Sequence, residues 1–304
     1  MLTRRRMLTA AAALGAQWTV PAFAQENAQQ KLKAVATFSI LGDLVANVGG
    51  ARADVATLVG PNSDAHVYSP TPADAKTLAQ AKVVVVNGLG LEGWLTRLVT
   101  ASGSKAVTVT ASTGIKPRRM EDEHHGGQFV TDPHAWQSIA NAKIYVGNIR
   151  DGLVKVDPDG RAAYAANATA YLARLDALEA DVKAAIERIP ADRRRIITTH
   201  DAFGYFGAAF GMEFIAPQGV STESEASAKD VAKIITQIRQ QKIPAVFMEN
   251  ISDPRLMQQI ARETGAKIGG TLYSDALSGA NGPAATYIDM MRNNVREFAA
   301  ALMS

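Results

Sequence analysis

Two hydrophobic periods alternate along the chain, and each switch between them marks an element. Residues 83–86 read VVVV, a continuous β-branched run stopped by Asn87-Gly88. That pattern fits a parallel strand buried on both faces. KAVATFSILGDLVANVGG predicts a strand around Ala34 to Thr37, then a turn and a helix ending at Gly49-Gly50. ADVATLVGP and AVTVTAS at 106–112 supply two further strands. Between them lie helical stretches: ADAKTLAQA behind Pro70-Thr71-Pro72, with Thr71 as cap, and LEGWLTRLV. Strand and helix therefore alternate through the first half.

From Asp157 to Pro190 the pattern changes. About thirty residues rich in Ala, Leu, Glu and Arg place Ala163, Ala166, Ala170, Leu175, Leu178, Val182 and Ile186 at helical spacing. One helix of that length far exceeds the ~12 residues common in globular folds. Beyond it the alternation resumes with RRIITTH, AFGYFGAAFG, AKDVAKIITQIRQQ, PAVFMEN, DPRLMQQIARETG and KIGGTLYSD, and a final helix, PAATYIDMMRNNVREFAAALM, closes the chain. The fold expected is α/β: two lobes with central parallel sheets joined by one long helix. Its boundaries are 25–156 for the first lobe, 157–189 for the linking helix and 190–304 for the second lobe.

The first residues change the cellular picture. Arg4, Arg5 and Arg6 precede an apolar run from Met7 and a small-x-small end at Ala22-Phe23-Ala24, the pattern of an export signal spanning residues 1–24. The run is shorter than the ~20 residues of a bilayer helix, and Gln17 interrupts it. Loss of this segment removes three arginines and no acid, which takes the formal net charge from +3 to zero. Nucleic-acid binding then has no electrostatic support. The 304 residues include no cysteine, so there is no thiolate site, no disulfide and no lipid-bearing cysteine after the signal. A soluble, monomeric periplasmic protein is expected, and any metal must be held by His, Asp, Glu or backbone oxygen.

Five histidines occur, at 66, 124, 125, 134 and 200. His66 in PNSDAHVYSPTPAD, His134 in TDPHAWQS and His200 in RIITTHDAF share a placement at element boundaries beside small polar residues and prolines. His200 and Asp275, the latter in TLYSDALS, end strands on the side where α/β sheets collect ligands. Three imidazoles and one carboxylate form a nitrogen and oxygen set suited to four-coordinate zinc, whereas manganese favours more oxygen. Taken singly, each histidine serves equally well as an ordinary hydrogen-bonding residue, and Asp275 as a turn residue.

Five segments in order resemble the zinc and manganese solute-binding proteins of ABC importers, the TroA-like or cluster A-I group. They are GPNSDAHVYSPTPAD, DPHAW, TTHDAFGYFGAAFG, GVSTESEASAKDV and YSDALS, within a match running from about Lys33 to the C-terminus. The resemblance implies His66, His134, His200 and Asp275 as metal ligands in the cleft between two lobes bridged by a long helix. Manganese-preferring relatives generally carry Glu where His200 stands, so the ligand set leans to zinc over manganese. Zinc-type relatives carry a histidine-rich loop ahead of DPHAW. Here it is reduced to EDEHHGG, as in the AztC-like branch, with His124 and His125 as candidates for transient zinc binding.

The function implied is capture of Zn2+ and delivery to an inner-membrane permease with its ATPase, with a periplasmic zinc metallochaperone as a further partner. Affinity is expected to weaken below about pH 6.5, where imidazole protonates. Asp275 is expected to be the ligand that exchanges most readily. The competing classes are a manganese carrier of the same type, an adhesin, and a zinc hydrolase using Glu249, Glu223 or Glu225 as general base, although no HExxH motif is present. Trp94 and Trp136 are expected in the core, with Trp136 shielding His134.

Overall fold

The structure is a computed structural model that describes residues 30–122 and 128–303. The export signal, His124 and His125 lie outside the described residues. The first sheet contains β1 (Leu32–Phe38), β2 (Ala53–Val59), β3 (Val83–Val86) and β4 (Val107–Thr110), in the order β2-β1-β3-β4. All its pairings are parallel, with Val35 opposite both Ala56 and Val84, and Val84 opposite Thr108. Every residue of β3 is buried, as its uninterrupted valine run predicts.

Around this sheet pack α1 (Ser39–Gly49), α2 (Pro72–Gln80), α3 (Leu95–Ser102) and α4 (Ile139–Val156). Thr71 caps α2 through a reciprocal box with Asp74. Helix α3 starts four residues later than LEGWLTRLV suggests. Glu92 is drawn back instead, accepting from the Asn87 and Gly88 amides at 2.6 and 3.1 Å and from Thr37 Oγ1 at 2.7 Å. The intervening Leu89 and Gly90 take positive φ angles of 57° and 89°, which no helix accommodates. A short antiparallel hairpin, β5 (Arg119–Asp122) with β6 (Gln128–Thr131), leads into the DPHAW motif.

Helix α5 (Arg161–Glu187) is 27 residues long and packs on α1 and α4 and on the C-terminal helix α9 (Tyr287–Leu302). Beyond α5 the second sheet comprises β7 (Arg195–Ile197), β8 (Glu213–Ile215), β9 (Ala245–Glu249) and β10 (Lys267–Leu272), in the order β10-β9-β7-β8, again parallel. Helices α6 (Gly204–Phe210), α7 (Ala228–Gln241) and α8 (Arg255–Thr264) complete this lobe. A small cluster of Ile197, Ile234, Ile238, Val246, Met257 and Ile260 lies between this sheet and α7 and α8. Nearly all the other buried apolar residues form one core that runs through both lobes, from Val84 and Trp136 to Phe206, Phe247 and Phe298. Among the described residues no helix is long and apolar enough to cross a membrane.

Candidate metal centre

Each of the four candidate residues leaves an element just before the cleft. His200 lies three residues past the end of β7 and Asp275 three past the end of β10, at the carboxyl edge of the second sheet. His66 follows β2 in an irregular loop, and His134 follows β6 at the start of a short 3-10 turn, Ala135–Gln137. Both first-lobe histidines use one device: an aspartate two residues earlier accepts the histidine amide. Asp64 Oδ1 accepts from His66 N at 2.8 Å and Asp132 Oδ1 from His134 N at 2.9 Å. At the end of β9, Glu249 Oε1 accepts from the Thr199 and His200 amides at 2.8 and 3.0 Å, because β9 neighbours β7.

The structure brings all four side chains together and buries them, with ligand atoms within 4.8 Å of one another. His66 Nε2 is 3.2 Å from His134 Nε2 and 3.1 Å from Asp275 Oδ2. His200 Nε2 is 3.4 Å from His134 Nε2 and 3.1 Å from Asp275 Oδ2, and His134 Nε2 is 3.5 Å from Asp275 Oδ1. The separations of 3.1 to 3.5 Å, in which His66 and His200 face Asp275 Oδ2 and His134 faces Oδ1, lie near the ~3.3 Å edge of a tetrahedron whose centre is about 2 Å from each corner, the length of a zinc to nitrogen bond.

Carboxylates behind the rings fix which nitrogen faces the centre. His134 Nδ1 donates to Asp132 Oδ1 at 2.9 Å, and His200 Nδ1 lies 2.6 Å from Glu249 Oε2. With Nδ1 turned to an acid, each Nε2 lone pair points inward. Lone pairs so close repel unless a cation lies between them. Burial disfavours the charged His134 ring, but Asp275 and Asp132 outweigh it and lift its pKa to about 9. His200 is burdened by burial in the same way and raised well above its usual value by Glu249 and Asp275. Burial alone would raise Asp275, yet the two imidazoles hold it well below the usual carboxylate range. Asp275 Oδ1 is buried with no hydrogen-bond donor, an acceptor suited to a cation.

Glu249 does not fit the general base expected of a hydrolase. Its Oε1 accepts from the Thr199 and His200 amides, and its Oε2 lies 2.6 Å from His200 Nδ1 without the geometry of a hydrogen bond, so it is committed to holding His200 in place. Glu223 and Glu225 are exposed on their loop. Asp132 was not singled out by sequence reasoning, although the Asp-x-His spacing it shares with Asp64 was visible. Trp136 is fully buried, its ring centroid 5.2 Å from that of His134, and its Nε1 donates to Ser274 O at 2.9 Å beside Asp275. Trp94 is also buried and donates to Ala65 O at 2.8 Å, holding the residue before His66.

Residues 34–301 match the family described as zinc-uptake complex component A, periplasmic. The manganese-binding lipoprotein MntA of Halalkalibacterium halodurans is 36% identical over 272 residues, covering 89% of this chain and 88% of that one. The iron-binding protein YfeA of Yersinia pestis is 35% identical over 266 residues, covering 88% and 85%. Among solved structures, the periplasmic zinc-binding protein TroA of Treponema pallidum is 32% identical, with a TM-score of 0.83 over 90% of this chain and 99% of that one. A manganese-bound periplasmic metal-binding protein from Candidatus Liberibacter asiaticus is 31% identical, with a TM-score of 0.80 over 90% and 100%. The chain belongs to this family, the TroA-like metal-binding substrate-binding proteins of ABC importers, which are carriers and not enzymes.

Proposed function

We propose that the protein binds one Zn2+ through His66, His134, His200 and Asp275 and delivers it to an ABC permease with its ATPase. The observation that carries this reading is the inward convergence of three Nε2 atoms on one carboxylate at tetrahedral spacing. Relatives bear names that specify manganese, iron and zinc, so kinship alone does not choose the metal. The donor set supports zinc. Three imidazoles and one carboxylate suit a borderline cation, and the nitrogen of His200 stands where a harder ion would be better served by oxygen. Four protein ligands also fill the coordination sphere, as carriage requires and hydrolysis does not.

Residues 1–24 are proposed to direct export to the periplasm, with the lobes and linking helix divided at 25–156, 157–189 and 190–304. His124 and His125 are proposed to bind zinc transiently as it arrives, from solution or from a metallochaperone. Competitive titration of the stripped protein against Zn2+ and Mn2+ tests the main reading. One tight zinc per chain, at least about a hundredfold preferred over manganese and lost in His134→Ala and His200→Ala, is expected. Equal or tighter manganese binding overturns the zinc assignment.

A further inference from the structure

Of the four converging residues only His66 reaches solvent: it is 8% exposed, and His134, His200 and Asp275 are at 0%. The open edge of the site is therefore on the first-lobe loop, not at Asp275. None of the four lines a cavity of about 480 Å³, but its walls include chain neighbours of two of them, Asp64 and Thr199, together with Thr222 and Glu225. Asp64 is two residues from His66, and Thr199 adjoins His200. Across this cavity, Thr222 Oγ1 of the second lobe donates to Asp64 Oδ2 of the first at 2.6 Å. The other oxygen of the same carboxylate, Oδ1, holds the His66 amide at 2.8 Å.

The two partners differ in how they are held. The His66 loop is fastened at several further points: Asn62 N donates to Leu277 O at 2.9 Å, Asn250 Nδ2 to Asn62 Oδ1 at 3.1 Å, and Trp94 to Ala65 O at 2.8 Å. Thr222 belongs to a stretch without helix or strand between β8 and α7, which includes the GVSTESEAS motif and is tied to its own lobe before Thr222, by Gln218 N to Thr199 O at 3.3 Å and Asp201 N to Gly219 O at 3.1 Å. No residue of that stretch is among the four that converge, so the proposed function leaves the motif without a role.

We propose that the Thr222 to Asp64 hydrogen bond is the gate on the route of the metal, which leaves past His66 into this cavity when the bond opens. Asp64 is a positioning residue, because one oxygen sets the His66 loop while the other fastens the gate. A hydroxyl to carboxylate bond gains strength from the acceptor's charge, and its loss leaves Asp64 to find another donor. The gate thus sets how fast metal is released while leaving the ligand set unchanged.

This inference rests on the four residues forming the metal site, and the experiment separates the two claims. Zinc-loaded wild type, Thr222→Val and Thr222→Ser are each mixed with excess EDTA, and metal loss is followed by stopped flow after stoichiometry has been measured. The valine keeps the shape and loses the donor, whereas serine keeps the donor. Release about tenfold faster from Thr222→Val, with Thr222→Ser within about twofold of wild type and one zinc bound to each, is the expected result. Unchanged release from Thr222→Val overturns the gate while the metal site stands, and so does equal acceleration by both variants. A wild type that binds no zinc overturns both claims.

Discussion

At the residue scale, the proposed ligand set makes protons and metal competitors for the same nitrogens. A metal takes the Nε2 lone pair of a neutral imidazole. In the metal-free site burial opposes the charged ring, but Asp275 and Asp132 hold a proton on His134 up to a pKa of about 9, and Glu249 and Asp275 act likewise on His200. Binding at neutral pH must therefore expel protons. The sign follows: affinity is expected to rise with pH through neutrality and to level only as the raised value is passed. Zinc titration calorimetry at pH 7 in buffers of different ionisation enthalpy is expected to show at least one proton released per ion, with affinity at least about tenfold higher at pH 8.5 than at pH 6.5. A buffer-independent enthalpy at pH 7 would contradict the proton-filled site. The four converging residues were legible because each stands in a short motif at an element boundary. Glu249 came forward in the sequence only as a candidate base of the competing hydrolase, because its partner lies 49 positions away and only the pairing of β9 with β7 brings them together.

At the element scale, the long helix was legible in outline and partly misread in phase. In its second half Leu175, Leu178, Val182 and Ile186 are buried as the spacing predicts. In its first half Tyr164, Ala168 and Tyr171 face the core, whereas Ala166 and Ala170 are exposed. Aromatic rings bury far more area than alanine methyls, and here their hydroxyls also find acids: Tyr164 donates to Asp157 at 2.7 Å and Tyr171 to Asp43 at 3.4 Å. An alanine-rich stretch gives little contrast by which to choose a face. Helix α4 was not among the elements predicted, although Ile139, Ala142, Val146, Ile149 and Leu153 are buried at helical spacing. The observed face of α5 has a direct test. Leu178→Ala is expected to cost about 3 kcal/mol in urea unfolding, and Ala170→Ser no more than about 0.5 kcal/mol. Similar costs at the two positions would mean that the buried face is assigned wrongly.

At the scale of the whole molecule, the lobes are joined directly by buried hydrogen bonds. Trp136 Nε1 and Gln137 Nε2 donate across the cleft to Ser274 O at 2.9 and 2.7 Å, Tyr287 OH donates to Trp136 O at 2.7 Å, and Leu277 N donates to Ser39 Oγ at 2.9 Å. Asp43 of α1 accepts from the Tyr287 amide of α9 at 2.9 Å. Wide opening would strand these buried groups without partners and split an apolar core that runs through both lobes. Removing one ion from the site relieves none of those costs. Metal loss should therefore act at the open edge, where the second-lobe loop meets Asp64, while α1, α5 and α9 keep their packing. Scattering from the chain lacking residues 1–24 is expected to give a radius of gyration of about 19 Å, equal within about 0.5 Å with and without zinc. Expansion by more than about 1 Å on stripping would show hinge-like separation and place release in a motion of whole lobes, not of one loop.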